Sequence, residues 1–171
     1  MLERGPHWSA TGKAAVWQLR KETEDKIKHN YARVVKWGDI KKNPPKKLKF
    51  SPVAMIPHKS KPFWCILDLS FTLFHKGVRY SSVNARTRKM ARPEAMVKLG
   101  QVIRRIIHLM AEYWHHGHPF KFAKLDVKDG FWRMSVDDVD AWNFCYVLPS
   151  LKERTSLDDI KFFVPNSLQM G

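Results

Sequence analysis

SPVAMIPHKSKPFWCILDL, residues Ser51–Leu69, places two short apolar runs around a basic tip. SPVAMIP (Ser51–Pro57) and FWCILDL (Phe63–Leu69) are rich in β-formers, and HKSKP between them is turn-forming. The stretch therefore predicts a β-hairpin. Lys59 and Lys61 stand at its tip. Tip lysines usually serve as a solvated end that discourages edge pairing.

Working outward to the N-terminal side, Lys13 to Lys36 reads as a helix. Val16, Leu19, Thr23, Ile27, Tyr31 and Val34 recur at three- and four-residue steps, and Gly38 supplies a stop signal. Thr23 is the one weak member of the stripe. KKNPPKKLK (Lys41–Lys49) is a basic connector stiffened by two prolines. Towards the C-terminus, Thr72–Arg92 is a basic loop region with weak signals. Pro93 opens a second helix whose expected buried stripe is Met96, Leu99, Ile103, Ile106, Met110 and Tyr113. FKFAKLDV (Phe120–Val127), NFCYVLP (Asn143–Pro149) and IKFFVP (Ile160–Pro165) read as strands, with the polar loop SLKERTSLDD before the last. Helix, hairpin, helix and strands in that order predict an α+β fold.

At 171 residues and 44% hydrophobic composition, the chain suits one domain with a real core. Its 31 Lys and Arg outweigh 16 Asp and Glu, a net charge of +15 that favours a polyanionic partner. The charge is uneven: Ile40–Pro93 holds 13 Lys or Arg and one acid, Asp68, while Asp126–Asp159 holds eight acids. A phosphate-binding side and a metal-binding side would look like this, and so would two solvated faces. No long basic amphipathic helix stands out to suggest a membrane surface. The first residues lack a signal peptide's apolar core, and no run approaches a membrane span. Two cysteines, Cys65 and Cys145, fit a reducing, intracellular compartment.

KLDVKDGFW (Lys124–Trp132) carries the sharpest chemistry. In a strand ending there, Ala123, Leu125 and Val127 share the core face and Asp126 points the other way. A carboxylate so placed either holds Mg²⁺ or caps a surface turn. Phe131 alone reads as a core aromatic. HHGH (His115–His118) has poor zinc-ligand spacing and reads as a solvated helix end. Asp68 reads as structural, and Asp158–Asp159 as a loop cap.

Taken in order, Pro52–Asp68, SVN (Ser82–Asn84), Leu125–Val136, WNFCYVLP (Trp142–Pro149) and VPNSLQMG (Val164–Gly171) resemble the fingers and first part of the palm of a reverse transcriptase. The similarity is to polymerases of retrotransposons with long terminal repeats, and it runs from about Ile40 to Gly171. It implies a partial right-hand polymerase fold: residues 1–39 a leader and helix, 40–119 fingers, 120–171 partial palm. The implied chemistry is RNA-directed DNA synthesis, with Mg²⁺ or Mn²⁺ as cofactor and deoxynucleoside triphosphate and an RNA or DNA template-primer as partners.

Asp126 would be the catalytic metal ligand and the Val127 carbonyl a second one. Lys59 and Lys61, the backbone at Asp129 and Gly130, the ring of Phe131, and Met170–Gly171 would meet the nucleotide. Lys41, Lys42, Lys46, Lys47, Lys49, Arg86, Arg88 and Lys89 would hold template phosphates. Trp64 departs from the family, which usually has Arg or Lys in that slot. The family's paired aspartates follow the Met170–Gly171 motif, so the resemblance implies a fragment that needs the remaining polymerase domains and is inactive alone. A non-catalytic basic nucleic-acid-binding module, or a degenerate remnant, is the alternative.

Overall fold

The computed structural model describes residues 1–87, 92–119, 129–150 and 156–169, with positions 121, 123 and 127. The fold is α+β. Two compact units divide the chain: Met1–Arg86 with Asp129–Gly171, and Thr87–Lys128.

In the first unit, α1 spans Lys13–Lys28 and β1 spans Ala32–Lys36. The expected single helix to Lys36 is thus a helix and a strand. Asn30 breaks it, with φ at 58°, a left-handed conformation that asparagine tolerates. The Tyr31 N–H donates to the Lys26 carbonyl and the Asn30 N–H to that of Ile27, both at 2.9 Å, closing the last turn. Val34 and Val35 beyond it are β-branched and go to the sheet. Thr23, the weak stripe member, is buried, and its hydroxyl donates 2.8 Å to the Leu19 carbonyl, which offsets the cost of burying it.

A single helical turn, α2 (Trp37–Ile40), follows β1. Gly38 lies inside it rather than stopping the helix. A Cβ there would stand 3.1 Å from the Asp158 carbonyl oxygen, so glycine permits the close approach.

The predicted hairpin is present: β2 (Val53–Pro57) pairs antiparallel with β3 (Phe63–Leu67), Val53 opposite Leu67 and Pro57 opposite Phe63. Val53 and Met55 point inward and are fully buried, while Ile56 is exposed, the alternation expected of a one-sided sheet. The N-terminal segment covers β2: the His7 N–H donates to the Val53 carbonyl and the Met55 N–H to the Ser9 hydroxyl. Asp68 is satisfied locally, accepting from the Ser70 N–H.

The weakly patterned region beyond holds a second hairpin, β4 (Leu73–His75) with β5 (Val78–Tyr80), and a short α3 (Val83–Arg86). Its two-residue turn is Lys76–Gly77, both at positive φ, as a primed hairpin turn requires.

After α4, which belongs to the second unit (Arg92–His115), a short α5 (Asp138–Ala141) leads to β6 (Tyr146–Val147) and β7 (Lys161–Pro165). The strand expected over Asn143–Pro149 is only these two residues, preceded by a 3₁₀ turn at Trp142–Phe144. β7 is central in a three-stranded antiparallel sheet of order β1, β7, β6. Because neighbouring strand residues face opposite ways, β7 builds two cores. Phe163 packs with Leu19, Met55 and Tyr146, while Phe162 and Val164 pack with Ala141 and Cys145.

The second unit is dominated by α4. Of the stripe expected to be buried, Met96, Leu99, Ile103, Met110 and Tyr113 are 41–64% exposed and Ile106 is half-buried. Most of the strand expected at Phe120–Val127 lies outside the described residues. Lys121, Ala123 and Val127 are in no strand, and Val127, expected on the core face, is exposed.

Candidate nucleotide cleft and nucleic-acid groove

Two of the concavities lined by described residues of the first unit gather residues singled out in the sequence. One is a cleft of about 700 Å³ between α1, the β2–β3 hairpin and the segment opening at Asp129. Lys61 and Asp129, more than sixty residues apart in sequence, both line it, as does Gln169 beside the Met170–Gly171 motif. Tyr146 and Phe163 form its apolar floor, stacked at 4.6 Å. Burial, with lesser contributions from Cys65 and Glu22, holds the Tyr146 phenol well above its ordinary pKa, so it stays neutral.

The cleft is electrostatically balanced. Lys61 Nζ lies 3.4 Å from Glu22 Oε1 and 5.4 Å from the Trp64 ring centre. Lys26 Nζ lies 3.4 Å from Asp129 Oδ1 and 4.5 Å over Trp132. Lys61 and Lys26 thus each already face a carboxylate. Trp64, in the slot where a cation was anticipated, stacks beneath Lys61 and meets His58 edge-on at 4.6 Å. Lys59 is exposed at the hairpin tip. Asp129 has φ of 56°, a turn conformation suited to aspartate. Gly130 precedes a 3₁₀ turn at Phe131–Arg133, and Phe131 is 48% exposed, so it is not a core aromatic.

Asp126, Arg88, Lys89, Met170 and Gly171 lie outside the described residues. Among the described residues no group of three or more His, Cys, Asp or Glu could hold a metal ion. His115–His118 form a helix end, with Gly117 at φ 67°. The metal expectation rests on Asp126, outside the described residues, and on the Val127 carbonyl.

The second concavity is a basic groove of about 690 Å³. Lys46, Lys47 and Lys49 from the connector reach it, with Arg86 from α3 and Arg4 from the N-terminal segment. Glu3 is the one acid in its lining. Trp37, Phe50, Phe71 and Tyr80 interleave with the cations. Lys49 Nζ donates to the Ser81 carbonyl, and Arg86 Nε lies 3.0 Å from the Ser81 hydroxyl. Burial, and then the neighbouring Arg86 charge, lower the Lys49 pKa. Two cations held near one another at partial burial are a local excess of positive charge that an anion would relieve. Lys47 is partly engaged by Asp140. Lys42 is exposed and Lys41 pairs with Asp158, and neither lines the groove.

Four of the six described basic residues singled out in the sequence thus converge. Arg4 and the aromatic walls escape sequence reading. Arg4 has no local pattern, and its guanidinium reaches the groove by lying 4.6 Å over Phe71. Tyr80 sits on β5, which the Lys76–Gly77 turn signal between Leu73–His75 and Val78–Tyr80 would have revealed. No described helix is long and apolar enough to cross a membrane. Compared with models of protein families, with curated proteins and with solved structures, the chain matches none.

Proposed function

We propose that this chain binds nucleic acid as the fingers and first palm segment of a reverse-transcriptase-like polymerase. The observation that carries the reading is the groove. Lys46, Lys47 and Lys49 meet Arg86 across some forty residues of sequence, with four aromatic rings between them and one acid. Such a surface suits the phosphates and unstacked bases of a single strand, with little sequence preference. The ordered motifs from Pro52 to Gly171 supply the polymerase part, and the meeting of Lys61, Asp129 and Gln169 at one cleft supports it. In a complete enzyme Asp126 would contribute to a two-metal site for nucleotidyl transfer, with Mg²⁺ or Mn²⁺ supplying Lewis-acid chemistry. Alone, the chain is proposed to hold strands and not to extend them.

The test is fluorescence anisotropy with labelled RNA and DNA oligonucleotides. Lys49→Ala/Arg86→Ala should weaken binding at least tenfold, and an unchanged affinity would sink the reading. Primer extension with Mg²⁺ or Mn²⁺ tests the rest. Template-dependent synthesis by this chain, lost in Asp126→Asn, would overturn the expectation that it does not polymerise.

A second reading is a basic binding module with no polymerase chemistry. The carboxylates facing Lys61 and Lys26 favour it, because they occupy the cations a triphosphate would need. Titration with a deoxynucleoside triphosphate separates the two. Binding that Lys61→Ala abolishes favours the polymerase, and no binding at millimolar nucleotide favours the module.

A further inference from the structure

Lys49 and Arg86 come from different parts of the sequence and meet on one residue, Ser81, in the link between β5 and α3. Lys49 Nζ donates to the Ser81 carbonyl oxygen, and Arg86 Nε lies 3.0 Å from the Ser81 hydroxyl oxygen. Among the described residues no carboxylate pairs with either cation. Their neighbours are placed differently. Lys47 is paired with Asp140, Arg4 lies over Phe71, and Lys46 is exposed. Lys49 and Arg86 are thus the two groove cations held side by side without a countercharge. The lowered pKa of Lys49, to which the Arg86 charge contributes, agrees with that proximity.

Two charges anchored on one residue converge on one anion. A bridging phosphodiester carries a single negative charge and leaves one of the two cations unmatched. A phosphate monoester carries close to two charges at neutral pH and presents three acceptor oxygens. Such a dianion matches both cations at once. The Arg86 guanidinium uses Nε on Ser81 and keeps its two terminal nitrogens to fork onto two oxygens. Lys49 adds a point charge with two further N–H donors. The Ser81 hydroxyl accepts from Arg86 and still has its own proton to donate to a third oxygen.

A nucleic-acid strand carries a monoester only at a phosphorylated end. Trp37, Phe50, Phe71 and Tyr80 line the same groove, and such rings offer the terminal nucleotide a surface on which its base stacks. A free phosphate ion would leave those rings unused. We infer, resting on the reading of the groove as a nucleic-acid site, that Lys49, Arg86 and Ser81 form a site for the terminal phosphate monoester of a strand. The groove as a whole holds strands without regard to sequence, and this pair selects those with a phosphorylated end.

The experiment is fluorescence anisotropy on the full chain with strands of one sequence that end in a hydroxyl, a phosphate or a methyl phosphate. Each ending is placed at the 5′ end in one set and at the 3′ end in another, with the label at the far end. The methyl ester is a diester again, with one charge, so it isolates the second charge of the monoester. The phosphate-ended strand should bind about fivefold more tightly than the methyl-phosphate one, on the order of one added, partly exposed ion pair. The set that shows the difference identifies the end. Millimolar inorganic phosphate, at matched ionic strength, should shrink the preference by occupying the pair.

Lys46→Ala should weaken all strands alike and keep the ratio. Lys49→Ala/Arg86→Ala should bring the ratio to one. Equal binding of phosphate and methyl phosphate by the unaltered chain in both sets overturns the monoester site and leaves the groove standing. Failure of every strand to bind overturns both. A preference that survives Lys49→Ala/Arg86→Ala, or that inorganic phosphate does not touch, overturns the assignment to this pair.

Discussion

Phe163 shows how much one side chain decides. It is fully buried at the middle of the central strand, stacked on Tyr146 and edge-on to Trp132 at 6.2 Å. Phe163→Ala would leave a cavity under the cleft floor and should cost roughly 3–5 kcal/mol in denaturant unfolding. A loss below about 1 kcal/mol would mean that the floor collapses to fill the gap. The two thiols make a second prediction. Burial pushes both Cys65 and Cys145 up to about 12 from an ordinary 9. Only the thiolate reacts, so at pH 8 native alkylation should be about a thousandfold slower than in the unfolded chain.

The sign for stability follows. A thiol whose pKa is raised by folding loses nothing below pH 9. Above it the unfolded chain ionises first, so stability falls as pH climbs from 9 towards 12. Thermal melts at pH 8 and pH 10.5 should show the drop, and Cys145→Ser should shrink it.

At the scale of elements, turns decide where the pattern changes. The apolar steps from Val16 to Val34 run on in sequence as one helical stripe, but Asn30 turns the chain and the valines beyond pair with β7. Periodicity cannot reveal this, because the partner strand lies some 130 residues away. The β4–β5 hairpin makes a testable case. Lys76 at φ 49° and Gly77 at φ 75° form its turn, and only glycine takes the second value without strain. Gly77→Val should cost about 1–2 kcal/mol locally. Amide exchange at Val78 and Tyr80 should then quicken about tenfold or more, and oligonucleotide affinity should fall with it because Tyr80 lines the groove. Exchange that stays at the wild-type rate would show that the hairpin is held by its surroundings rather than its turn.

For the whole molecule, the excess of positive charge matters only where folding concentrates it. If Lys46, Lys47, Lys49 and Arg86 each neutralise one phosphate of a single strand, the logarithm of affinity should fall with a slope of about −2.8 against the logarithm of salt. Between 50 and 200 mM salt that is about a 50-fold loss. Lys49→Ala/Arg86→Ala should remove about half of the slope while leaving the melting temperature within a few degrees. Salt-independent binding would mean that the aromatic walls, not the charges, hold the ligand.

Local patterns were sufficient for the β2–β3 hairpin, the start of α1, the extent of α4 and the position of β7, because turn residues and apolar spacing act within a few residues. The basic character of the connector and Arg86 was legible for the same reason. What required the tertiary structure was every decision that depends on a distant partner. Phe162 and Phe163 divide between two cores because β7 is central, and Thr23 is buried because α1 packs over the sheet. Lys61 faces Glu22 and Lys26 faces Asp129, so the cleft is balanced, whereas Lys49 and Arg86 meet with no carboxylate between them. Composition sets the total charge, but only the packing of segments far apart in sequence determines which charges cancel and which remain for a ligand.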